Sequence, residues 1–333
     1  MQKEKLIYFD SIDFFRALGV FFVFLHHAIQ VYGFAQNTYL GPYLYYSTAF
    51  MWSGVNLFFL ASGFINGRNL FSRQSKVNFL KKRGKRILPL YYVYMLIGTI
   101  GYIFNYKFFS INDFNILNHF LFLSGVDCYN SNIINPIYFS ITWTLSVEIQ
   151  LYMITAMIMA IKKIHTLTII IILFMIGLIS PYFSSSINHF GLIMHLDEYF
   201  LGVIIRFLID GKLLHLKKIK TINIFVLLIT LFLIYITDLN ENFQMLDSTL
   251  LLFYSSLLLL LLNLRFNKLS FILVIGRNCY FIYLFHFLFL YIFAKFFDEH
   301  YRSNYIILFI SFVSCYYVSR ISMKYFESKF TNE

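Results

Sequence analysis

Arg16 and His27 lie eleven residues apart within one apolar stretch, IDFFRALGVFFVFLHHA. An arginine at membrane depth costs roughly 2.5–3.5 kcal/mol on insertion scales, so ionisable groups kept there face a cavity or a partner rather than lipid. At about 100° per residue, eleven residues bring a helix back to nearly the same face, about 16 Å further along its axis. His26 is turned well away from that face. The first helix therefore carries a polar stripe that looks inward. Histidine titrates near neutral pH, which makes His27 a natural general base.

Other groups could join that chemistry. Glu148, in ITWTLSVEIQLYM, falls about a third of the way into an apolar segment. An isolated carboxylate there has to be protonated or paired, and its expected task is to orient or charge His27. The segment 68–86 is dense in Arg and Lys, among them Arg73, Lys82, Arg83 and Arg86. Arg83 and Arg86 are three apart, so on a helix they share a face and can fork onto phosphate oxygens. Two readings of this charge stand side by side: orientation in the membrane with attraction to anionic lipid, and a phosphate-bearing cytoplasmic ligand. Pro89 is expected to open the next helix, where its missing N–H does no harm. His286, alone among aromatics, reads first as a satisfied core residue. His119, His189 and His195 receive no role. His195 and Glu198 are too few to argue a metal, and the three cysteines, Cys128, Cys279 and Cys315, form no paired motif, so no metal or disulfide framework is expected.

The elements that position these groups follow from composition. The chain has 333 residues, of which 59% are hydrophobic and 13% charged, with mean hydropathy +0.69. Soluble domains average about 25% charged residues. Apolar runs of roughly twenty residues dominate, and the alternation of a membrane β-barrel is absent. The expected fold is an all-α integral membrane protein of about ten transmembrane helices. The spans run at roughly 11–31, 45–67, 87–106, 140–161, 164–182, 190–209, 221–237, 247–264, 271–294 and 304–323. With both termini cytoplasmic, only Lys107, Lys295 and Arg302 of the 27 Lys and Arg fall outside. The positive-inside rule supports that topology, so the net charge of +11 marks cytoplasmic loops and not nucleic-acid binding. Residues 107–139 form a long external loop. Its segment 114–125 is too short to span, so it is expected to be re-entrant or interfacial. One membrane domain over residues 1–333 is expected, with no fused soluble domain. Spacings such as Gly63 to Gly67 are expected to permit close helix packing.

Four segments together resemble the bacterial acyltransferase-3 family of membrane acyltransferases. DFFRALGVFFVFLHHA is similar to its first-helix signature, an arginine followed by ten residues and a histidine, which selects His27 over His26. FFLASGFING resembles the Ser-Gly-Phe motif of the second helix. KKRGKRILPLYY matches Arg-x-x-Arg followed by Ile-x-Pro-x-Tyr, and WTLSVEIQLY matches Trp-x-Leu-x-Val-Glu. GRNCYFIYLFH and KYFESKF resemble the ninth-helix and terminal segments, although Asn and Cys in GRNCY replace the usual small hydroxylic residues.

The resemblance implies transfer of an acyl group, usually acetyl, from cytoplasmic acetyl-CoA to an envelope glycan at a bacterial inner membrane. The acceptor would be a surface polysaccharide or lipid-linked glycan, with lipopolysaccharide O-antigen foremost. Arg83, Arg86 and Lys82 would hold the donor phosphates. His27 would act as base, or as nucleophile through an acetyl-histidine. Glu148 would orient the imidazole, and Arg16 would hold donor oxygens or the helix itself. The competing class is a glycan exporter or proton-coupled transporter, since carriers also bury His, Arg and Glu.

Overall fold

The computed structural model describes residues 2–32, 49–71, 75–104, 116–124, 137–161, 163–183, 191–239, 243–264, 266, 270–297 and 305–331. Outside these lie most of the expected loop 107–139 and also Arg73, Cys128, His189, Lys107 and Arg302. Among the described residues the secondary structure is helical throughout. In chain order the main helices are α1 (Gln2–Tyr32), α2 (Gly54–Leu70), α3 (Lys76–Ile103), α4 (Ile116–Phe120), α5 (Thr142–Ile158) and α6 (Lys163–Ile179). They continue with α7 (Leu196–Asp210), α8 (Leu216–Leu239), α9 (Phe243–Leu261), α10 (Ser270–Arg277), α11 (Cys279–Phe296) and α12 (Tyr305–Ser322).

The segments read as spans overlap these helices, the ninth overlapping the α10–α11 pair. Among the described residues five stretches are long and apolar enough to cross a bilayer: Asp10–Tyr32, Lys76–Ile103, His165–Phe183, Cys279–Phe296 and Tyr305–Phe330. Their outward faces carry apolar rows at helical spacing, such as Tyr92, Leu96, Ile100 and Ile103 on α3. Rows of this kind face hydrocarbon, because water would not tolerate them in series. Helix α2 differs. Thirteen of its 17 residues are buried, Asn56, Ser62 and Asn66 among them. It faces protein on nearly every side, so it is free to carry polar groups that lipid would exclude.

Helices α2 and α7 pack backbone against backbone. A Cβ on Gly63 would stand 1.8 Å from the Tyr199 carbonyl oxygen, and one on Gly202 would stand 2.2 Å from that of Leu60. Glycine at both positions lets the two backbones touch. Helix α1 runs through the middle of the bundle, against α2, α10 and α11. Its start is clamped to α10 by Arg277, which bonds Asp13 at 3.0 Å and Asp10 at 3.3 Å. Arg277 also borders a surface vestibule with the start of α3 and with Glu327 and Phe330 near the C-terminal end. The beginning of α1, the beginning of α3 and the end of the chain therefore share one end of the bundle.

One local expectation changes, and a second segment gains detail. Helix α3 does not begin at Pro89 but thirteen residues earlier, with Ser75 as its N-cap and Pro89 inside it. The charged start of the helix lies at the surface yet buries Phe79 and Ile87, and that burial offsets the proline's cost of about 3 kcal/mol. Within the segment 114–125, Ile116–Phe120 forms a short helix. A turn follows in which Phe122 adopts φ 58°. Tyr91 donates to the His119 carbonyl, Gln150 donates to that of Phe122, and Ser124 bonds Ser146. This piece is thus tied down on α3 and α5. Burial pushes the His119 imidazole, bonded to Thr142, down to about 4.

Candidate active site

A cavity of about 650 Å³, counting its open mouth, lies between five helices. Arg16 enters it from α1, Phe58 from α2, Arg86 from α3, Thr144, Glu148 and Tyr152 from α5, and Cys279, Tyr280 and Tyr283 from α11. These groups come from segments up to 267 positions apart, so only the packed bundle assembles them. Arg86 and Tyr280 also line the vestibule, a space of about 1550 Å³ that holds Lys81, Lys82, Lys85 and Arg277 as well. The two spaces meet at these two side chains. Tyr280 is held there by donating its hydroxyl hydrogen to the Ile87 carbonyl at 2.8 Å.

The Glu148 carboxyl is fixed by neighbours that the sequence reading left without a role. Its Oε1 accepts from Ser62, in the Ser-Gly-Phe segment, at 3.1 Å, and from the Tyr152 hydroxyl. The network continues inward. Asn66 donates to the Tyr199 hydroxyl at 3.1 Å. Thr155 gives its own hydrogen to the Leu151 carbonyl, so Tyr199 donates to Thr155, at 2.7 Å. Every hydroxyl hydrogen in that line has an acceptor, which is how a polar seam survives in a low-dielectric interior. Tyr152 follows Glu148 by four residues on one helix, and that spacing was the signal in the sequence that could have found it.

Arg83 and Arg86 part company. Arg86 points into both spaces, whereas the Arg83 guanidinium lies 5.5 Å from the Tyr152 ring centre and 5.7 Å from that of Phe79. The expected fork of two arginines becomes one arginine facing the cavity and one stacked on the aromatic wall behind it. Lys82 does line the vestibule.

His27 stands apart from Glu148. Its ring lies 4.2 Å from Phe287 and 5.1 Å from His286, centre to centre, and its Nδ1 is 3.4 Å from the Gln30 carboxamide oxygen. Glu148 bonds Ser62 and Tyr152 and makes no contact with His27, so the expected orientation of the imidazole by this carboxylate is not what the packing provides. The stripe itself holds. Arg16 meets the cavity beside Cys279 and Tyr280, and His27 meets His286 and Phe287 further along the same α11. The two helices run side by side in one direction, with the arginine nearer the vestibule end. His26 is bonded through its Nε2 to Gln30 instead. Among the described residues no three His, Cys, Asp or Glu side chains gather as a metal would need.

A bundle of apolar helices around a cavity that holds Arg16, Arg86 and Glu148, with a basic vestibule at one end, defines a multi-pass membrane protein with an internal site. The family model for an acyltransferase domain, type 3, matches residues 9–321, nearly the whole chain. The chain belongs to the acyltransferase-3 family and is a membrane acyltransferase. No curated protein and no solved structure matches it.

Proposed function

We propose that the chain is an O-acetyltransferase of a bacterial inner membrane. It would move an acetyl group from cytoplasmic acetyl-CoA to a hydroxyl of a surface polysaccharide, foremost lipopolysaccharide O-antigen or its lipid-linked precursor, at the periplasmic side. One observation carries this reading: the basic vestibule opens, past Arg86 and Tyr280, into the cavity that holds Arg16 and Glu148, and His27 lies beyond it on the same helix as Arg16. Both chain ends and the vestibule then face the cytoplasm, and ten helices cross the membrane.

Lys81, Lys82, Lys85 and Arg86 suit phosphate oxygens, since ammonium and guanidinium groups donate charge-assisted hydrogen bonds. Acetyl-CoA is the co-substrate, and its thioester supplies the activated acyl carbon. Arg16 offers donors to carbonyl oxygen along the cavity. Glu148, fixed by Ser62 and Tyr152, lines the same cavity as Arg16 and Arg86 and is the carboxylate that balances their charge there. Beyond the cavity, further along the helix that carries Arg16, His27 takes the proton of the sugar hydroxyl as that oxygen attacks the thioester carbonyl. The C–O bond forms, the C–S bond breaks, and the thiolate leaves towards the vestibule. The exporter reading has no need of a phosphate-binding vestibule joined to the His27 helix.

The test is alkali-releasable acetate on the surface polysaccharide of cells whose only copy carries His27→Ala, scaled to inserted protein. Loss of acetylation supports the reading. Wild-type acetylation by a normally inserted variant removes His27 from the chemistry.

A further inference from the structure

His286 has no task in the scheme above, and its surroundings are not those of an ordinary core histidine. It is fully buried. Its Nδ1 lies 2.5 Å from the Tyr283 carbonyl oxygen. A carbonyl only accepts, so Nδ1 carries the ring hydrogen and the neutral ring keeps Nε2 as a bare acceptor. That Nε2 is buried and has no hydrogen-bond partner among the described residues. Leaving a buried acceptor unpaired costs about 1–3 kcal/mol. Nothing in the packing requires it, since a phenylalanine would fill the same aromatic surroundings of Phe24, Tyr283 and Phe287. The ring lies 5.1 Å from that of His27 and within 27° of parallel. An unpaired acceptor is therefore stored beside the proposed base.

We propose that His286 is a second substrate-contacting imidazole, whose Nε2 accepts a hydrogen bond from a donor on the acceptor sugar next to the hydroxyl that reacts. The inference rests on the reading of His27 as base. The reacting hydroxyl has one hydrogen, and His27 takes it. His286 needs a donor of its own, so the substrate has to bring a second O–H or N–H on a neighbouring carbon. This defines a substrate class: a polyhydroxylated or acylamino sugar with adjacent donors. It also accounts for selectivity, because a site with a buried acceptor rejects a substrate that leaves it unpaired. No covalent step is added, since His286 neither gains nor loses a proton.

The experiment uses the full chain in host cells lacking their own copy. It compares His286→Phe, which keeps shape and burial, with His286→Gln, which keeps an acceptor near the Nε2 position. Polysaccharide acetyl content per inserted protein is measured together with acetyl-CoA affinity of the purified protein, and NMR maps the acetylated position. The expected result is at least an about tenfold loss for the phenylalanine variant with donor affinity unchanged, and recovery of most of that loss by glutamine. The acetylated carbon should be flanked by a carbon bearing a free O–H or N–H. Wild-type acetylation by His286→Phe overturns the proposal, as do equal losses in both variants or a loss that follows weakened donor binding. Where the phenylalanine variant does not insert, glutamine decides alone: near-wild-type acetylation upholds the proposal and an about tenfold loss overturns it. Where neither inserts, the mapped position decides, and an acetylated carbon without a neighbouring donor overturns it. His27→Ala separates the two readings. If that variant still acetylates, the base assignment falls; if it is inactive while His286→Phe is normal, only this proposal falls.

Discussion

Arg83 and Arg86 would behave alike if the Arg-x-x-Arg pair were one phosphate fork, and the structure says they will not. Arg86→Ala removes the one side chain of the pair that lines both the vestibule and the cavity. A hydrogen bond from a charged donor contributes about 1.5–3 kcal/mol, so the dissociation constant for acetyl-CoA should rise about 10- to 150-fold. Arg83→Ala removes a guanidinium stacked at 5.5 and 5.7 Å over Tyr152 and Phe79. A cation–π contact of this kind contributes about 0.5–2 kcal/mol, and here it holds α3 to α5, so the loss should appear as lowered thermal stability. Donor affinity should stay within about threefold, less than the smallest shift expected for Arg86. The assay is equilibrium binding of acetyl-CoA to both purified variants in lipid nanodiscs, with unfolding followed on the same samples. Equal weakening by the two substitutions, or a larger effect at Arg83, would refute the division of labour.

Three more expectations follow from other contacts. Tyr152→Phe keeps the ring under Arg83 but removes a donor to Glu148, so transfer should fall about tenfold with insertion unchanged, measured as polysaccharide acetate per inserted protein; normal transfer would mean that the carboxyl needs no such support. Gly63→Ala drives a methyl into the Tyr199 carbonyl, where only backbone movement can relieve it; a sharp drop in inserted, protease-resistant protein is expected, and a normal level would contradict the α2–α7 contact. His119 is held neutral in the fold, at about 4 against an ordinary 6.5, so the unfolded segment binds more protons below 6.5 and stability falls as pH drops through that window. Between pH 7.5 and 5.5 this amounts to about 1.3 kcal/mol, read as an about tenfold rise in hydrogen exchange over residues 117–124, and His119→Gln should abolish the dependence.

The legible parts of this chain were those where the bilayer punishes exceptions. Ionisable residues in apolar runs stood out because lipid excludes them, and so Arg16, His27 and Glu148 could be named before any packing was known. The eleven-residue spacing put Arg16 and His27 on one face, and both do meet α11. Gly63 and Gly67 read as close-packing positions, and the backbone of α7 lies against them. The start of α3 was read too late because Pro89 suggested a helix start, whereas burial of Phe79 and Ile87 outweighs its cost.

By itself the sequence determined the class of solvent, the helical architecture and the family, because twenty-residue apolar runs and motif order depend on local chain alone. Only the tertiary structure decided which polar group meets which. Glu148 went to Ser62 and Tyr152 and not to His27, Arg83 went to an aromatic wall, and His286 came to rest against His27. Helical spacing fixes the angle at which a side chain leaves its own helix. What it meets depends on the rotation and depth of the neighbouring helix, and those are set by contacts such as Gly63 on Tyr199, far from the groups they align.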